Sequence, residues 1–314
     1  MAHLVENMAF VGDTPWHGLG NQLPTNQPIE VWQREAGMDW EILESEVLYR
    51  ADYKIQPYAD SKVLHRSDTG KALSVVSKRY QVVQPREVLG FYRDLVSVGG
   101  FELESAGVLK EGRKLWALAK TGQETMLKGG DQVKAYLLLA TSCDGTLATT
   151  AQFTSVRVVC NNTLQMAVGE SKGAVKVPHS TSFDPKQVKQ ALGLGISAWD
   201  EFMGSMKQLT ERKTNKFEAM NFLVEVLGDP TLTLQEQPNQ KALQAVYALY
   251  SGEGKGSTMA SASGTAWGLV NAVTDYVDHS RRARSEDYRL DSAWFGQGAQ
   301  IKQKAFEKAV ALAA

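Results

Sequence analysis

The chain has 314 residues, enough for two domains or for one large domain with a substantial core. Its 34 Lys and Arg residues nearly balance its 35 Asp and Glu residues, which gives a net charge of −1. The balance also holds on both sides of Ser180. This composition excludes a globally basic nucleic-acid-binding domain, whereas a local basic groove stays compatible with it.

The sequence lacks the segments that direct a chain into a membrane or through it. It has no run of about 18 apolar residues, and residues 1–6 lack the layout of a signal peptide. Its two cysteines, Cys143 and Cys160, fit a reducing compartment better than a disulfide framework. We therefore expect a cytoplasmic protein without a membrane partner, and the scattered Cys and His residues predict no zinc site.

The expected fold class is α+β: an antiparallel β-meander with one or two packed helices, followed by an all-helical C-terminal region. Residues 1–180 form the strand-rich domain, because short strand-like runs there alternate with turn residues that tolerate positive φ. The strongest turn signals are Ser67–Gly70, Glu111-Gly112 and Asp144-Gly145. Helices are predicted over Pro85–Val98, where apolar residues recur on one face, and from Pro28 onward.

Residues 181–314 are predicted to form the helical region. An amphipathic pattern begins after Asp184-Pro185, which supplies an N-cap and a first-turn proline. Further helices are predicted over Lys216–Leu227, Gln240–Tyr250, Thr265–Arg282 and Ala299–Leu312. Residues 251–264 are rich in Gly and Ser and predict a flexible, exposed loop. The segment differs from a phosphate-binding loop, in which Ser or Thr follows the lysine, because Gly256 follows Lys255.

Two unusual segments lie in the N-terminal domain. In Pro15–Gly20, Trp16 is expected to anchor the segment on the core, and the alternative is that His17 acts as an acid or base or contacts a nucleic-acid base. In Phe153–Leu164, Arg157 interrupts an apolar run and Asn161 opens an Asn-Asn-Thr turn. An arginine inside a strand either pairs with a buried acid or binds a phosphate or carboxylate, and both readings stay open.

The third cluster is Gly264–His279. At helical spacing Trp267, Asn271, Thr274 and Asp278 share one stripe, and Asp275 lies alongside it. A carboxylate and an imidazole four residues apart, as in Asp275 and His279, are a weak metal signal. The basic run Ser280–Arg284 follows, and its arginines either complement the helix dipole or contact phosphate.

Three segments resemble the phage/plasmid-like domain of unknown function, a family encoded mostly by phages, prophages and plasmids. They are Pro15–Gly20, Thr154–Leu164 and Gly264–Ala272, in this order, and the resemblance spans nearly the whole chain. The resemblance implies a mobile-element context, in which single-strand annealing proteins combine a compact antiparallel sheet with a packed helix and assemble along DNA. The predicted meander with its helix is similar in outline to that architecture.

The leading hypothesis is therefore a DNA-binding protein of phage or plasmid recombination or replication, of the single-strand annealing kind. It would bind single-stranded DNA as a homo-oligomer in the cytoplasm of a bacterial host cell. Because an oligomer can line a groove with a few cations per subunit, a neutral chain is compatible with this function. The expected nucleic-acid-binding residues are Arg157, Lys172, Lys176, Lys78, Arg79, Tyr80, Arg281 and Arg282, with Tyr80 as the base-stacking side chain.

Two alternatives stay open beside this hypothesis, which itself requires no catalytic residue and no cofactor. One is a metal-dependent enzyme that acts on nucleic acid or a nucleotide, with His17, Asp275, Asp278 or His279 meeting in one cleft around Mg²⁺. The other is an interaction protein that binds a host factor through a large exposed apolar patch. The further candidates for functional roles are His17, Asn161, Asn271, Asp275 and Asp278.

Overall fold

The computed structural model describes residues 5–12, 20–99, 101–157, 162–165, 174–193 and 197–314. These residues form a mixed α+β fold with antiparallel sheets in the N-terminal half and helices in the C-terminal region, so the predicted fold class is confirmed. They divide into two compact units. Unit 1 comprises the described parts of residues 1–122, 136–152 and 174–194, and unit 2 comprises those of residues 123–135, 153–173 and 195–314. This division is discontinuous in sequence, unlike the single boundary predicted after Ser180.

The strands of the described residues form two sheets. The strands are β1 Val5–Val11, β2 Asn21–Leu23, β3 Ile42–Ala51, β4 Lys54–Arg66, β5 Ala72–Ser77, β6 Glu102–Leu109, β7 Lys114–Leu127, β8 Asp131–Ser142, β9 Thr149–Arg157, β10 Asn162–Gln165 and β11 Ala174–Val177. The larger sheet has the order β10-β9-β8-β7-β6-β1-β2, with β11 also paired to β9. Strands β6 to β10 are neighbours in chain order, which confirms the meander and its turns at Glu111-Gly112 and Asp144-Gly145.

The smaller sheet has the order β3-β4-β5 and projects a two-stranded ribbon. Strand β5 pairs only with Ser61–His65 of β4, whereas β3 and β4 continue together as far as the pair Ala51 and Lys54. We call residues 46–60 the ribbon. The predicted turn at Ser67–Gly70 joins β4 to β5, but the ribbon was not predicted.

The helices of the described residues are α1 Ile29–Glu35, α2 Pro85–Gly99, α3 Pro185–Gly193, α4 Ser197–Glu211, α5 Lys216–Leu227, α6 Gln240–Ala248, α7 Ala266–Asp275, α8 Glu286–Phe295 and α9 Gln297–Ala313. Helix α2 lies where the sequence predicts it and buries Val88, Leu89 and Tyr92 in unit 1. The Tyr92 hydroxyl lies 2.7 Å from the carbonyl oxygen of Ala117 and 3.0 Å from that of Leu137, on two strands of the meander. The sequence prediction contained no counterpart of α8.

Helix α7 is the core of unit 2, because all ten of its residues are buried. Around it, the rings of Trp199, Phe202 and Phe306 pack together from α4 and α9. Two π-helical turns, Leu249–Glu253 and Tyr276–Ser280, extend α6 and α7. In the segment 251–264, predicted as an exposed loop, half of the residues are exposed, whereas Ser261 and Ala262 near its end are fully buried.

Candidate nucleic-acid interface

The ribbon exposes three tyrosines that the sequence analysis did not single out. Tyr49 is 47% exposed, Tyr53 93% and Tyr58 49%. Opposed residues of an antiparallel pair share a face, and the register pairs Val47 with Tyr58 and Tyr49 with Gln56. Tyr49 and Tyr58 therefore lie on the same face, where their rings meet edge to face with centroids 6.5 Å apart. We call this side of the ribbon the tyrosine face.

The tip of the ribbon holds Tyr53 in a backbone conformation that disfavours large side chains. Asp52 (φ 48°) and Tyr53 (φ 62°) form the two-residue turn between β3 and β4, where Gly and Asn are the usual residues. A left-handed conformation costs an ordinary residue about 1–2 kcal/mol. Because the Tyr53 side chain is almost fully exposed, packing offsets little of this cost. Tyr53 is therefore a strained, exposed residue that packing does not explain, which makes it a candidate for a binding role.

Cations lie around the tyrosine face. Lys54 directly follows Tyr53 in the chain. It is paired with Ala51 and therefore lies on the same face as Tyr49. Lys78 and Arg79, two of the predicted DNA contacts, are exposed directly after β5. The backbone N–H of Lys78 donates to the carbonyl oxygen of Asp60 at 2.9 Å, which fixes this pair of cations at the base of the ribbon.

Tyr80, the predicted base-stacking residue, belongs to the core instead. It is only 9% exposed, its hydroxyl donates to the carbonyl oxygen of Ser142 at 2.9 Å, and burial raises its pKa to about 12. Its ring already stacks on His179, with centroids 4.3 Å apart. The imidazole is held there by the carbonyl oxygens of Gln81 and Leu147, at 2.9 and 3.0 Å from its two nitrogens. The stacking role predicted for Tyr80 is thus corrected.

The other predicted cations that can be described lie on other elements of the chain. Lys176 is exposed on β11 in unit 1, opposite Thr150. Arg282 is exposed in unit 2. The Arg281 guanidinium donates to the Ser292 hydroxyl at 3.2 Å and to the Gln297 side chain, so it ties the turn after α7 to α8 and α9. These hydrogen bonds give Arg281 a packing role, and the phosphate contact predicted for it stays a prediction.

Several predicted residues lie outside the described residues. They are His17, Asn161 and Lys172, together with the side chain of Arg157. The backbone of Arg157 ends β9, so the arginine lies in a strand as predicted, and it pairs with Asn162 of β10, a strand that was not predicted. The functional roles assigned to these residues stay predictions.

The polar stripe predicted on α7 is buried inside unit 2. The Asn271 amide donates to the carbonyl oxygen of Trp267 at 2.8 Å, within the same helix. The Asp278 carboxylate accepts a 2.7 Å hydrogen bond from the Lys302 ammonium of α9, and these side chains are only 7% and 2% exposed. Burial lowers the pKa of Lys302, and the charge of Asp278 opposes that change. Asn271 and Asp278 are therefore parts of the core.

A fully buried carboxylate that the sequence analysis did not consider also stabilises this core. Asp131, the first residue of β8, accepts from the Ser261 hydroxyl at 2.6 Å and from the Trp267 indole N–H at 3.2 Å. It thereby fastens the loop before α7 and the start of α7 to the β7–β8 hairpin. Its position directly after Gly129-Gly130 gave no signal of burial, since an acid next to a turn is ordinarily exposed.

The surroundings of Asp275 at the end of α7 perturb the pKa of its carboxyl group. Burial raises its pKa above the ordinary range, and the nearby Asp278 charge adds to the rise. The charge of His279 and the backbone N–H of Lys255, which donates to the carboxylate, oppose it. Perturbed carboxylates are enriched at functional sites, although structural clusters also produce them.

Asp275→Asn is expected to stabilise the protein near pH 7. Because the folded-state pKa of Asp275 is raised, the stability that this group contributes is fully present below its unfolded-state pKa and is lost as pH rises through the folded-state value. The amide keeps an acceptor for the Lys255 N–H and removes the charge. Urea unfolding across the acid-to-neutral range should show a stability gain that grows with pH.

Asp229→Asn is the control of opposite sign. Hydrogen bonds from Thr231 lower the pKa of the exposed Asp229 carboxyl, so its contribution is present above its unfolded-state pKa and is lost as pH falls through the folded-state value. Substitution there should not stabilise the protein at neutral pH. A gain for Asp275→Asn that is constant from acid to neutral pH would contradict the raised pKa.

The described residues bear on the chemistry of the enzyme alternative at three points. Within the described residues, no three His, Cys, Asp or Glu side chains come together as metal ligands. The Lys302 ammonium moreover occupies an oxygen of Asp278 that the magnesium hypothesis requires. Burial and the charge of Asp144 raise the pKa of the Cys143 thiol to about 12, which disfavours its reactive thiolate form.

The described residues thus define an α+β protein with an exposed aromatic ribbon in one unit and a polar, helical core in the other. A family model described as Domain of unknown function (DUF932) matches residues 72–294, most of the chain, and the chain belongs to this family. The match begins at the first residue of β5, so the ribbon precedes it. No curated protein and no solved structure matches the chain. In the ranges that the structure describes, no helix is long and apolar enough to cross a membrane.

Proposed function

We propose that this chain is a single-stranded-DNA-binding protein of phage or plasmid recombination or replication, and that it binds DNA through the tyrosine face. The observation that carries the proposal is Tyr53, an exposed aromatic side chain at a strained turn between two further exposed tyrosines. Stacking of a base on an aromatic ring contributes about 1–3 kcal/mol and depends little on sequence. Such binding suits a protein that leaves sequence recognition to base pairing.

Electrostatic attraction has a smaller part in this proposal. Arg50, Lys54, Lys78 and Arg79 are exposed in or beside the ribbon, but the acids Glu46, Asp52 and Asp60 lie in the same segment. If all four cations contacted phosphates, the affinity would fall with a log–log salt slope no steeper than about −3. We therefore expect moderate salt dependence, with stacking as the main source of affinity.

The biological context of the proposal comes from the sequence. The segments Thr154–Leu164 and Gly264–Ala272, which resemble the phage/plasmid-like family, lie within the matched range 72–294. The association with phages and plasmids supports a role in recombination or replication, where single strands are exposed and annealed. Homo-oligomer formation would place several tyrosine faces along one strand and raise the avidity without new contacts.

Tyr53→Gly should separate DNA binding from stability. The affinity for fluorescent oligo(dT), measured by anisotropy at low salt, is expected to fall by about 5- to 150-fold, because one stacking platform is lost. The free energy of unfolding should stay unchanged or rise by up to about 1 kcal/mol, since glycine adopts the left-handed conformation without strain. Tyr49→Ala and Tyr58→Ala should weaken binding in the same direction.

Tyr288→Ala provides the matched control. Tyr288 is also exposed, at 38%, but it lies on α8 in unit 2, so its loss should leave the affinity for oligo(dT) unchanged. Binding by Tyr53→Gly that equals that of the wild type would overturn the assignment to the tyrosine face. If the wild type binds no DNA even at low salt, the second candidate function is favoured, a host-factor-binding protein. That candidate is supported by the exposed apolar side chains of Leu48 and Ile55, at 58% and 72%.

A further inference from the structure

We infer that two copies of this chain pair through the outer edge of β3, as antiparallel strands related by a two-fold axis at Leu48. Strand β3 is an edge strand of the order β3-β4-β5, and within the described residues no further strand lies beside it. An open edge presents backbone N–H and C=O groups that can pair with another chain, and monomeric proteins usually protect it. The segment Glu46–Arg50 contains neither the proline nor the lysine that commonly gives such protection.

The side-chain amide of Gln84 shows which residues direct their backbone groups outward. The backbone N–H of Ile42 donates to its oxygen at 2.9 Å, and its nitrogen donates to the Ile42 carbonyl at 3.0 Å. In a strand this orientation recurs at every second residue, so Glu46, Leu48 and Arg50 also present their backbone groups at the outer edge. The register shift between Glu46 and Val47 places its extra residues, 59–61, on β4 and keeps the residues of β3 consecutive. The Gln84 side chain pairs only with Ile42, so the part of the β3 edge that follows Ile42 is suited to pair with another strand.

The sequence Glu46-Val47-Leu48-Tyr49-Arg50 is self-complementary in the antiparallel direction. A two-fold axis at Leu48 places Glu46 opposite Arg50 of the partner subunit and Val47 opposite Tyr49 of the partner subunit. Opposite charges and a β-branched residue beside an aromatic are favourable cross-strand pairs. A register centred on Val47 would instead place the Glu46 carboxylate opposite Leu48 of the partner subunit. Charge therefore selects both a second copy as the occupant and one register.

The pairing has a consequence for the ribbon. Directly opposed residues of an antiparallel pair lie on the same face of a sheet, so the two tyrosine faces would adjoin on one side of a six-stranded sheet. Two stacking surfaces would then be available to a single DNA strand. The dimer does not rest on the proposed function, because it is measured without DNA.

Charge exchange tests the interface and its register. The wild type should be a dimer in sedimentation-velocity experiments at micromolar concentration without DNA. Glu46→Arg and Arg50→Glu should each weaken dimerisation by about 100-fold or more, because two like-charge pairs then oppose each other. The double variant Glu46→Arg/Arg50→Glu should form dimers again. An equimolar mixture of the two single variants should also form dimers, since each chain then supplies the charge that the other requires.

Both substituted residues are exposed, so the fold should survive, and circular dichroism with thermal unfolding verifies it. Arg34→Glu is the control, because Arg34 is also exposed but lies on α1, and its substitution should leave the dimer intact. A monomeric wild type would overturn the inference. So would single variants that stay dimeric, or a mixture of the single variants that stays monomeric.

Discussion

Lys302→Ala is expected to lower the free energy of unfolding by about 3–5 kcal/mol, which corresponds to a melting temperature lower by roughly 6–20 °C. The Lys302 ammonium donates to the Asp278 carboxylate at 2.7 Å, and both side chains are almost completely buried. Removal of one partner leaves a carboxylate in the core without the ammonium that compensates its charge, and desolvation then dominates. Urea unfolding monitored by circular dichroism measures the loss.

Lys308→Ala provides a control on the same helix. Its ammonium lies 2.8 Å from the Glu225 carboxylate, nearly the same distance, but both side chains are about half exposed. Solvent screening limits such a pair to about 1 kcal/mol or less. The double variant Asp278→Asn/Lys302→Met should lose less stability than Lys302→Ala, because neither charge is left in the core. Equal losses for Lys302→Ala and Lys308→Ala would contradict the importance of burial.

The parts of the fold that were predicted from the sequence are those with strong local signals. The turns Glu111-Gly112 and Asp144-Gly145 predicted the β6–β7 and β8–β9 hairpins, and the apolar face of Pro85–Val98 predicted α2. The ribbon was missed because its turn, Asp52-Tyr53, lacks the glycine that ordinarily marks a two-residue hairpin. Tyr53 is therefore both the reason that the hairpin was not predicted and the main feature of the candidate binding surface.

The candidate site was harder to predict, because burial and long-range pairing do not follow from local sequence. Tyr80 was assigned to a surface patch from its neighbours Lys78 and Arg79, but its ring is buried and stacks on His179. A lysine in a helix is ordinarily exposed, but Lys302 is buried and pairs with Asp278, 24 residues earlier in the chain. Charge alone could not identify either environment.

Gly268→Ala is expected to destabilise the protein by about 2–3 kcal/mol, although alanine normally stabilises a helix. Gly268 lies in the first turn of α7, where the Thr265 hydroxyl accepts from its N–H at 3.0 Å and caps the helix. A Cβ at this position would overlap the carbonyl oxygen of Ala262 and would stand 3.3 Å from the Tyr250 ring. Because the obstacle is backbone held against a buried helix, it cannot rotate away.

Gly204→Ala, on the exposed side of α4, is the matched control. A Cβ there meets nothing within 4 Å, so the variant should be stabilised by about 0.5–1 kcal/mol through helix propensity alone. Chemical denaturation of both variants decides the question, and a stabilised Gly268→Ala would contradict the close approach. Opposite signs would show that the glycine of the Gly264–Ala272 motif is required for packing. This motif, one of the three that carry the family resemblance, would then maintain the fold.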